Sequence, residues 1–183
     1  MPDLGFSVSH TTRTQRTGEQ EGREYFFVTR EEFQKRINSG EFLEYADVHG
    51  NLYGTSIAEA EKAESTGTDL IVEIDVQGAV QIMEKMGDSV VSIFILPPSF
   101  QVLKARLTGR GTETGDALAV RLKNAFNEVL EYSRFKYVVI NEDIATATGQ
   151  IVSIIKAERQ LQNRQNDIIC GILNGFDASK HHF

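Results

Sequence analysis

Apolar and polar positions change rhythm near Ser56. Before it, apolar residues come in short, largely alternating runs, Phe6 to Ser9, Tyr25 to Val28 and Phe42 to Val48, each predicting a strand. Between the first two lies a polar stretch, Thr11 to Glu24, rich in glycine, arginine and glutamate, which suits an exposed loop. Thr29 and Glu32 have capping-box spacing. Phe33 and Ile37 then repeat at four, so a helix is expected up to Gly40. His49-Gly50-Asn51 reads as a turn, with Leu52 to Gly54 returning. The block predicts a small mixed α/β insert.

From Ser56 the pattern is one of buried strands alternating with helices. Ser56 caps a helix to about Ser65, stopped by Gly67. Leu70 to Ile74 is a nearly continuous apolar run, as in a strand covered on both faces. Gln77 to Met86 is helical, Val90 to Leu96 is a second buried strand, and Ser99 caps a helix to about Leu107. Gly109-Arg110-Gly111 interrupts, and Asp116 to Tyr132 resumes with helical spacing. Tyr137 to Ile140 is a third strand, Ile144 to about Gln165 a long helix, and the tail from Ile168 has the content of an amphipathic helix. This alternation implies an α/β domain with a parallel sheet and helices on both faces.

Composition narrows the class. With 183 residues, 40% apolar and 25% charged, the chain fits one globular domain. Its single cysteine, Cys170, can form no internal disulfide, which suits a reducing compartment. No apolar run reaches the roughly 18 residues of a membrane span and no leader-like opening is seen, so a cytoplasmic protein without a membrane partner is expected. A formal charge of -7 argues against nucleic acid as partner. An anionic ligand must then be met by local arginines.

Several groups of residues carry candidate chemistry. Arg13 and Arg16 stand among the hydroxyls of Ser7, Ser9, Thr11 and Thr12, a set suited to a phosphate, though it also fits a solvated basic loop. Tyr25, Glu44 and Tyr53 offer a carboxylate that accepts from two donors and two hydroxyls, yet each also reads as an ordinary surface or half-buried residue. Glu73 and Asp75 end an apolar strand, where ligands of open α/β sheets bind and where acids reach Mg²⁺ through water. Arg106, Arg110 and Arg121 flank the Gly-x-Gly break, as in a closing lid or a merely solvated helix face. His10, His49, His181 and His182 show no metal-ligand spacing, and Glu19 to Glu24 reads as a solvated acidic loop.

In order along the chain stand Phe6-Ser-Val-Ser-His-Thr-Thr-Arg13, Gly18-Glu19, Gly22, Tyr25-Phe-Phe-Val28, Phe42-Leu-Glu44, Gly50-Asn-Leu-Tyr-Gly-Thr55, Ile74-Asp-Val-Gln-Gly78, Pro97-Pro-Ser99, Arg106-Leu-Thr-Gly-Arg-Gly-Thr-Glu113, Arg121 and Val139-Ile-Asn141. This set resembles the bacterial-type guanylate kinases from about Pro2 to about Arg159. The resemblance implies a kinase that moves the terminal phosphate of ATP to GMP, with Mg²⁺. It implies that Ser9, Arg13, Arg16, Tyr25 and Tyr53 hold the GMP phosphate and that Glu44, Thr55 and Asp75 read guanine. By the same resemblance Glu73 lies near the metal through water, Arg106, Arg110 and Arg121 act on the phosphates, and Asn141 lies near adenine. Residues 7–55 would form the GMP-binding subdomain, 56–98 and 136–183 the core, and 99–135 the lid with its flanking helices.

One element of the resemblance is missing from these 183 residues: they hold no G-x-x-x-x-G-K-[ST] and no Gly-Lys pair. The expected fold is therefore a P-loop-NTPase-like parallel sheet without its first strand, phosphate loop and first helix. GMP binding without efficient transfer is expected, as is self-association through the gap left by the strand. Two alternatives stand beside it. One is a non-catalytic guanylate-kinase-like module that binds protein; the other is a fragment that folds only with a partner supplying the strand.

Overall fold

The computed structural model describes residue 1, residues 3–109 and residues 116–176. By its internal contacts the chain divides into two compact units, Met1–Val90 and Val91–Phe183.

The first unit holds strands β1 (Leu4–Phe6), β2 (His10–Thr11), β3 (Phe26–Phe27), β4 (Phe42–Val48), β5 (Asn51–Ser56) and β6 (Asp69–Ile71), with helices α1 (Arg30–Asn38), α2 (Ile57–Ser65) and α3 (Val76–Met86). Strands β3-β2-β5-β4 form a mixed sheet, antiparallel except for the β2–β3 pair. Strands β1 and β6 pair in parallel, Leu4 opposite Asp69 and Phe6 opposite Ile71.

Local chemistry explains these boundaries. The Thr29 side chain accepts from the Glu32 amide and caps α1, and Ser56 caps α2 through the Ala58 amide, both as the sequence implies. The β4–β5 hairpin turns at His49 and Gly50, whose φ values of 55° and 82° give the left-handed pair a two-residue loop demands. Along β4, Phe42, Glu44 and Ala46 are buried while Tyr45 and Asp47 are exposed, the alternation read from sequence. Phe33 from α1 is fully buried and stacks on Phe42 at 4.5 Å.

The run Phe6 to Ser9 is not one strand. The Ser7 hydroxyl donates to Glu59 Oε2 of α2, and the Val8 amide donates to the same oxygen at 2.8 Å. The Ser7 amide still donates to the Ile71 carbonyl at 2.9 Å, but the Val8 amide is taken from any ladder by Glu59, and the chain passes from the β1–β6 pair to the mixed sheet at His10.

The second unit holds β7 (Ile93–Leu96), α4 (Phe100–Gly109), α5 (Asp116–Val129), β8 (Tyr137–Ile140), α6 (Ile144–Arg159) and α7 (Asn166–Gly175). β7 and β8 pair in parallel, Ile93 opposite Tyr137 and Leu96 opposite Ile140. Phe94 and Val139 are buried, and Phe94 meets Phe135 edge-on at 5.0 Å. The Ser99 hydroxyl accepts from the Val102 amide and starts α4. Glu158, only 3% exposed, accepts from the Tyr137 hydroxyl at 2.6 Å and from Lys136 Nζ, tying α6 to β8.

The α/β class holds, but the described strands do not form one parallel sheet. They form two parallel pairs and one mixed four-stranded sheet. The apolar runs yield shorter strands than expected: Leu70 to Ile74 contributes only through Ile71, and Val90 to Leu96 only from Ile93. The tail does form a helix, α7, yet its Ile168, Ile172 and Leu173 remain exposed. Among the described residues no helix is long and apolar enough to cross a membrane.

Candidate functional site

The arginine group is built by the loop after β2. Arg13 lies fork to fork against Glu19, Nη2 to Oε1 at 2.7 Å and Nη1 to Oε2 at 3.1 Å. Its Nη1 also donates to the Thr14 carbonyl at 2.8 Å. The guanidinium stands over the Tyr25 ring at 5.3 Å and the Phe27 ring at 5.8 Å. Thr11 Oγ1 accepts from the Arg13 amide and donates to the Leu52 carbonyl, fixing the start of the loop on β5. The bond to Glu19 raises the Arg13 pKa further, so the cation is permanent.

Glu19 also accepts from the Arg16 amide at 2.7 Å, which folds the loop around one carboxylate. Sequence reading put Glu19 in a solvated acidic stretch. Its pairing with Gly18 in the ordered motif set was the available signal. Tyr25 and Tyr53 meet edge-on at 5.8 Å, and burial, then the nearby Tyr53, pushes the Tyr25 hydroxyl up. Ser9 is buried and the Arg16 side chain is exposed. Arg13, Tyr25 and Tyr53 are thus brought together as expected, with Arg16 on the same loop.

The carboxylate group lies where β4, β5 and α3 meet. Glu44 is 2% exposed, and its Oε1 accepts from the Thr55 hydroxyl at 2.6 Å. Burial raises the Glu44 pKa; the hydrogen bonds from Thr55 oppose this, and the charge of Asp75 adds to it. Asp75 caps α3, its Oδ1 accepting from the Gly78 amide at 2.9 Å. Around Glu44, α3 is laced to β4. Gln81 exchanges hydrogen bonds with the Tyr45 backbone, accepting at 3.3 Å and donating at 2.8 Å, and Lys85 donates to the Leu43 carbonyl. Glu73 is exposed beyond β6. The lacing was not legible, because Gln81 and Lys85 read only as polar positions of a helix.

In the second unit, Arg106 donates from Nη1 to the Asn141 carbonyl and from Nη2 to the Glu142 carbonyl, both at 2.9 Å. The arginine thereby holds the loop that leaves β8. The Asn141 amide donates to the Leu96 carbonyl at 2.8 Å, while its side-chain Oδ1 is buried without a hydrogen-bond partner among the described residues. Arg121 is half-buried on α5. Arg110, expected beside it, and His181 and His182 lie outside the described residues. Among the described residues no three His, Cys, Asp or Glu side chains converge as a metal site.

A guanylate kinase family model matches residues 2–158 of this chain. The chain belongs to the guanylate kinase family. Guanylate kinase of Geobacter sulfurreducens is 42% identical over 173 residues, covering 94% of this chain and 85% of the relative. That of Neisseria gonorrhoeae is 46% identical over 170 residues, covering 93% and 82%, and that of Thermotoga maritima 44% over 169, covering 92% and 81%. The crystal structure of guanylate kinase from Anaplasma phagocytophilum superposes with a TM-score of 0.77 at 40% identity, covering 88% of this chain and 79% of that one. Guanylate kinases are ATP:GMP phosphotransferases, and the α/β fold of this chain is of their kind.

Proposed function

We propose that the first unit of this guanylate kinase is its GMP site, with phosphate and base held by the two groups of residues it assembles. Arg13, Arg16, Ser9, Tyr25 and Tyr53 take the phosphate, and Glu44, Thr55 and Asp75 take guanine. The observation that carries this reading is Glu44. A buried carboxylate is costly unless its oxygens are used, and the hydrogen bond from the Thr55 hydroxyl to Oε1 leaves acceptor capacity for the N1–H and N2–H edge of guanine. Adenine presents no such pair of donors.

In the transfer, arginine cations neutralise charge on the phosphates, and positioning supplies most of the remainder. Arg106 commits both terminal nitrogens to loop carbonyls, so in this reading it shapes the loop bearing Asn141, and Arg110 and Arg121 meet the phosphates. Asn141 Oδ1, a buried acceptor without a partner, suits an amino group such as that of adenine. Mg²⁺ that travels with nucleotide phosphates keeps most of its waters and needs only one or two carboxylates. The exposed Glu73 fits that role through water, and the ion would screen the transferring phosphate.

Thermal unfolding in the presence of nucleotides tests the reading. A ligand that binds only the folded state raises the midpoint with its concentration. GMP should raise it more than guanosine or AMP at equal concentration. Equal shifts with GMP and AMP would contradict it.

A further inference from the structure

Gly78 touches both carboxylates assigned to the base. Its amide donates to Asp75 Oδ1 at 2.9 Å. A Cβ built on it would lie 2.5 Å from Glu44 Oε2, 3.1 Å from Glu44 Cδ and 3.4 Å from Asp75 Oδ1. The residue is buried in α3, whose register on β4 is fixed on either side of Glu44 by Gln81 at Tyr45 and Lys85 at Leu43. The helix therefore cannot easily back away. The atom that must move is the far end of the Glu44 side chain, and Glu44 Oε1 is held by Thr55. Backbone freedom does not explain a glycine here. Gly78 sits in ordinary helix, outside the positive-φ glycines, where glycine costs about 1 kcal/mol against alanine.

We infer that Gly78 is a positioning residue for guanine selection: the absence of its side chain sets where the Glu44 carboxylate lies against the base. The inference rests on the reading of Glu44 as the base reader. A methyl group at this position leaves the helix intact and displaces the carboxylate, so the damage falls on base choice and not on the phosphate group, which lies on the loop after β2.

The test uses the full chain with Gly78→Ala, and calorimetric titration with GMP, AMP and guanosine. The expected result is a GMP dissociation constant raised at least tenfold, an AMP constant changed less than threefold, and guanosine weakened in step with GMP. The unfolding midpoint of the ligand-free variant should be kept. The double variant Glu44→Asp/Gly78→Ala withdraws the carboxylate by one methylene and makes room for the new methyl. It should prefer GMP over AMP more strongly than the sum of the two single variants implies, a coupling a merely structural glycine would not give. If Gly78→Ala alone fails to fold, the double variant decides: folding with GMP preference regained supports the inference, and folding without it, or failing to fold, overturns it. A folded Gly78→Ala protein with unchanged GMP preference also overturns it. Glu44→Gln, measured alongside, separates the two ideas. If it leaves base preference unchanged, Glu44 itself is not the reader; if it alters preference while Gly78→Ala does not, only the role of Gly78 fails.

Discussion

Arg13 and Glu19 meet as two parallel forks, at 2.7 and 3.1 Å, on a loop whose own Arg16 amide also donates to Glu19. The pair fixes a cation that also stands over the Tyr25 ring. In the proposed role of Arg13, a phosphate would meet an arginine already ordered, so less side-chain entropy would be lost on binding. Arg13→Ala should weaken GMP by about 2–4 kcal/mol, the range for truncating one member of a desolvated charge pair. Guanosine, lacking the phosphate, should bind the variant as it binds the parent. Glu19→Gln should weaken GMP in the same direction by a smaller amount. Calorimetry on the two variants reads both effects.

Glu44→Gln should lower base preference without abolishing binding, because an amide oxygen still accepts one bond while its amino group faces a guanine donor. Titration of the variant with GMP and AMP measures this. The raised pKa of Glu44 adds a pH signature. An acid whose folded pKa lies above its unfolded value of 4.5 stabilises the fold fully below 4.5 and loses that contribution as pH rises through the folded value. The glutamine variant should therefore gain thermal stability over the parent as pH rises above 4.5. Over the same span the parent should gain GMP affinity as the carboxylate ionises, and the variant should not.

Glu158 gives the opposite sign. The Tyr137 hydroxyl and then Lys136 hold its carboxyl below 4.5. Its contribution is present above 4.5 and is lost as pH falls through the folded value. Glu158→Ala should cost about 2 kcal/mol near neutral pH, as for a hydrogen bond to a charged group, and less in acid. Denaturant unfolding at two pH values checks it.

What was legible follows from what each kind of residue reports. Caps, turns and alternation were readable because their causes are local: Thr29, Ser56 and the His49-Gly50 turn act within a few residues. Phe42 and Ala46 fell on the buried face as the alternation of Phe42 to Val48 implies, and Glu44, which by itself reads as a surface charge, lies there with them. The end of β1 was not readable, since it depends on Glu59, more than fifty residues away. Glu19, Gln81 and Lys85 were missed for a related reason. A charged or polar side chain looks alike in sequence whether it faces water or a partner brought near by the fold. Gly78 stood in a motif but carried no role until the position of Glu44 Oε2 supplied one.

His10 is buried between Phe26 and Phe42, at 4.9 and 5.5 Å, and its Nδ1 has no hydrogen-bond partner among the described residues. Burial, then the charge of Arg36, lowers its pKa below 6.5. A histidine shifted this way stabilises the fold above 6.5 and loses that contribution as pH falls through the folded value. His10→Phe should therefore flatten the acid side of the stability profile below pH 6.5. Thermal unfolding between pH 5 and 7 checks it; a parent and variant with the same slope there would contradict it.

Recognition of phosphate and base by separate groups of one unit is best tested by one calorimetric grid: GMP, AMP and guanosine against the parent chain, Arg13→Ala and Glu44→Gln. The parent should bind GMP more tightly than either other ligand. Arg13→Ala should shrink the advantage of GMP over guanosine, and Glu44→Gln should shrink the advantage of GMP over AMP, each leaving the other comparison largely in place. Equal binding of GMP and AMP by the parent, or both advantages surviving undiminished in both variants, would contradict it.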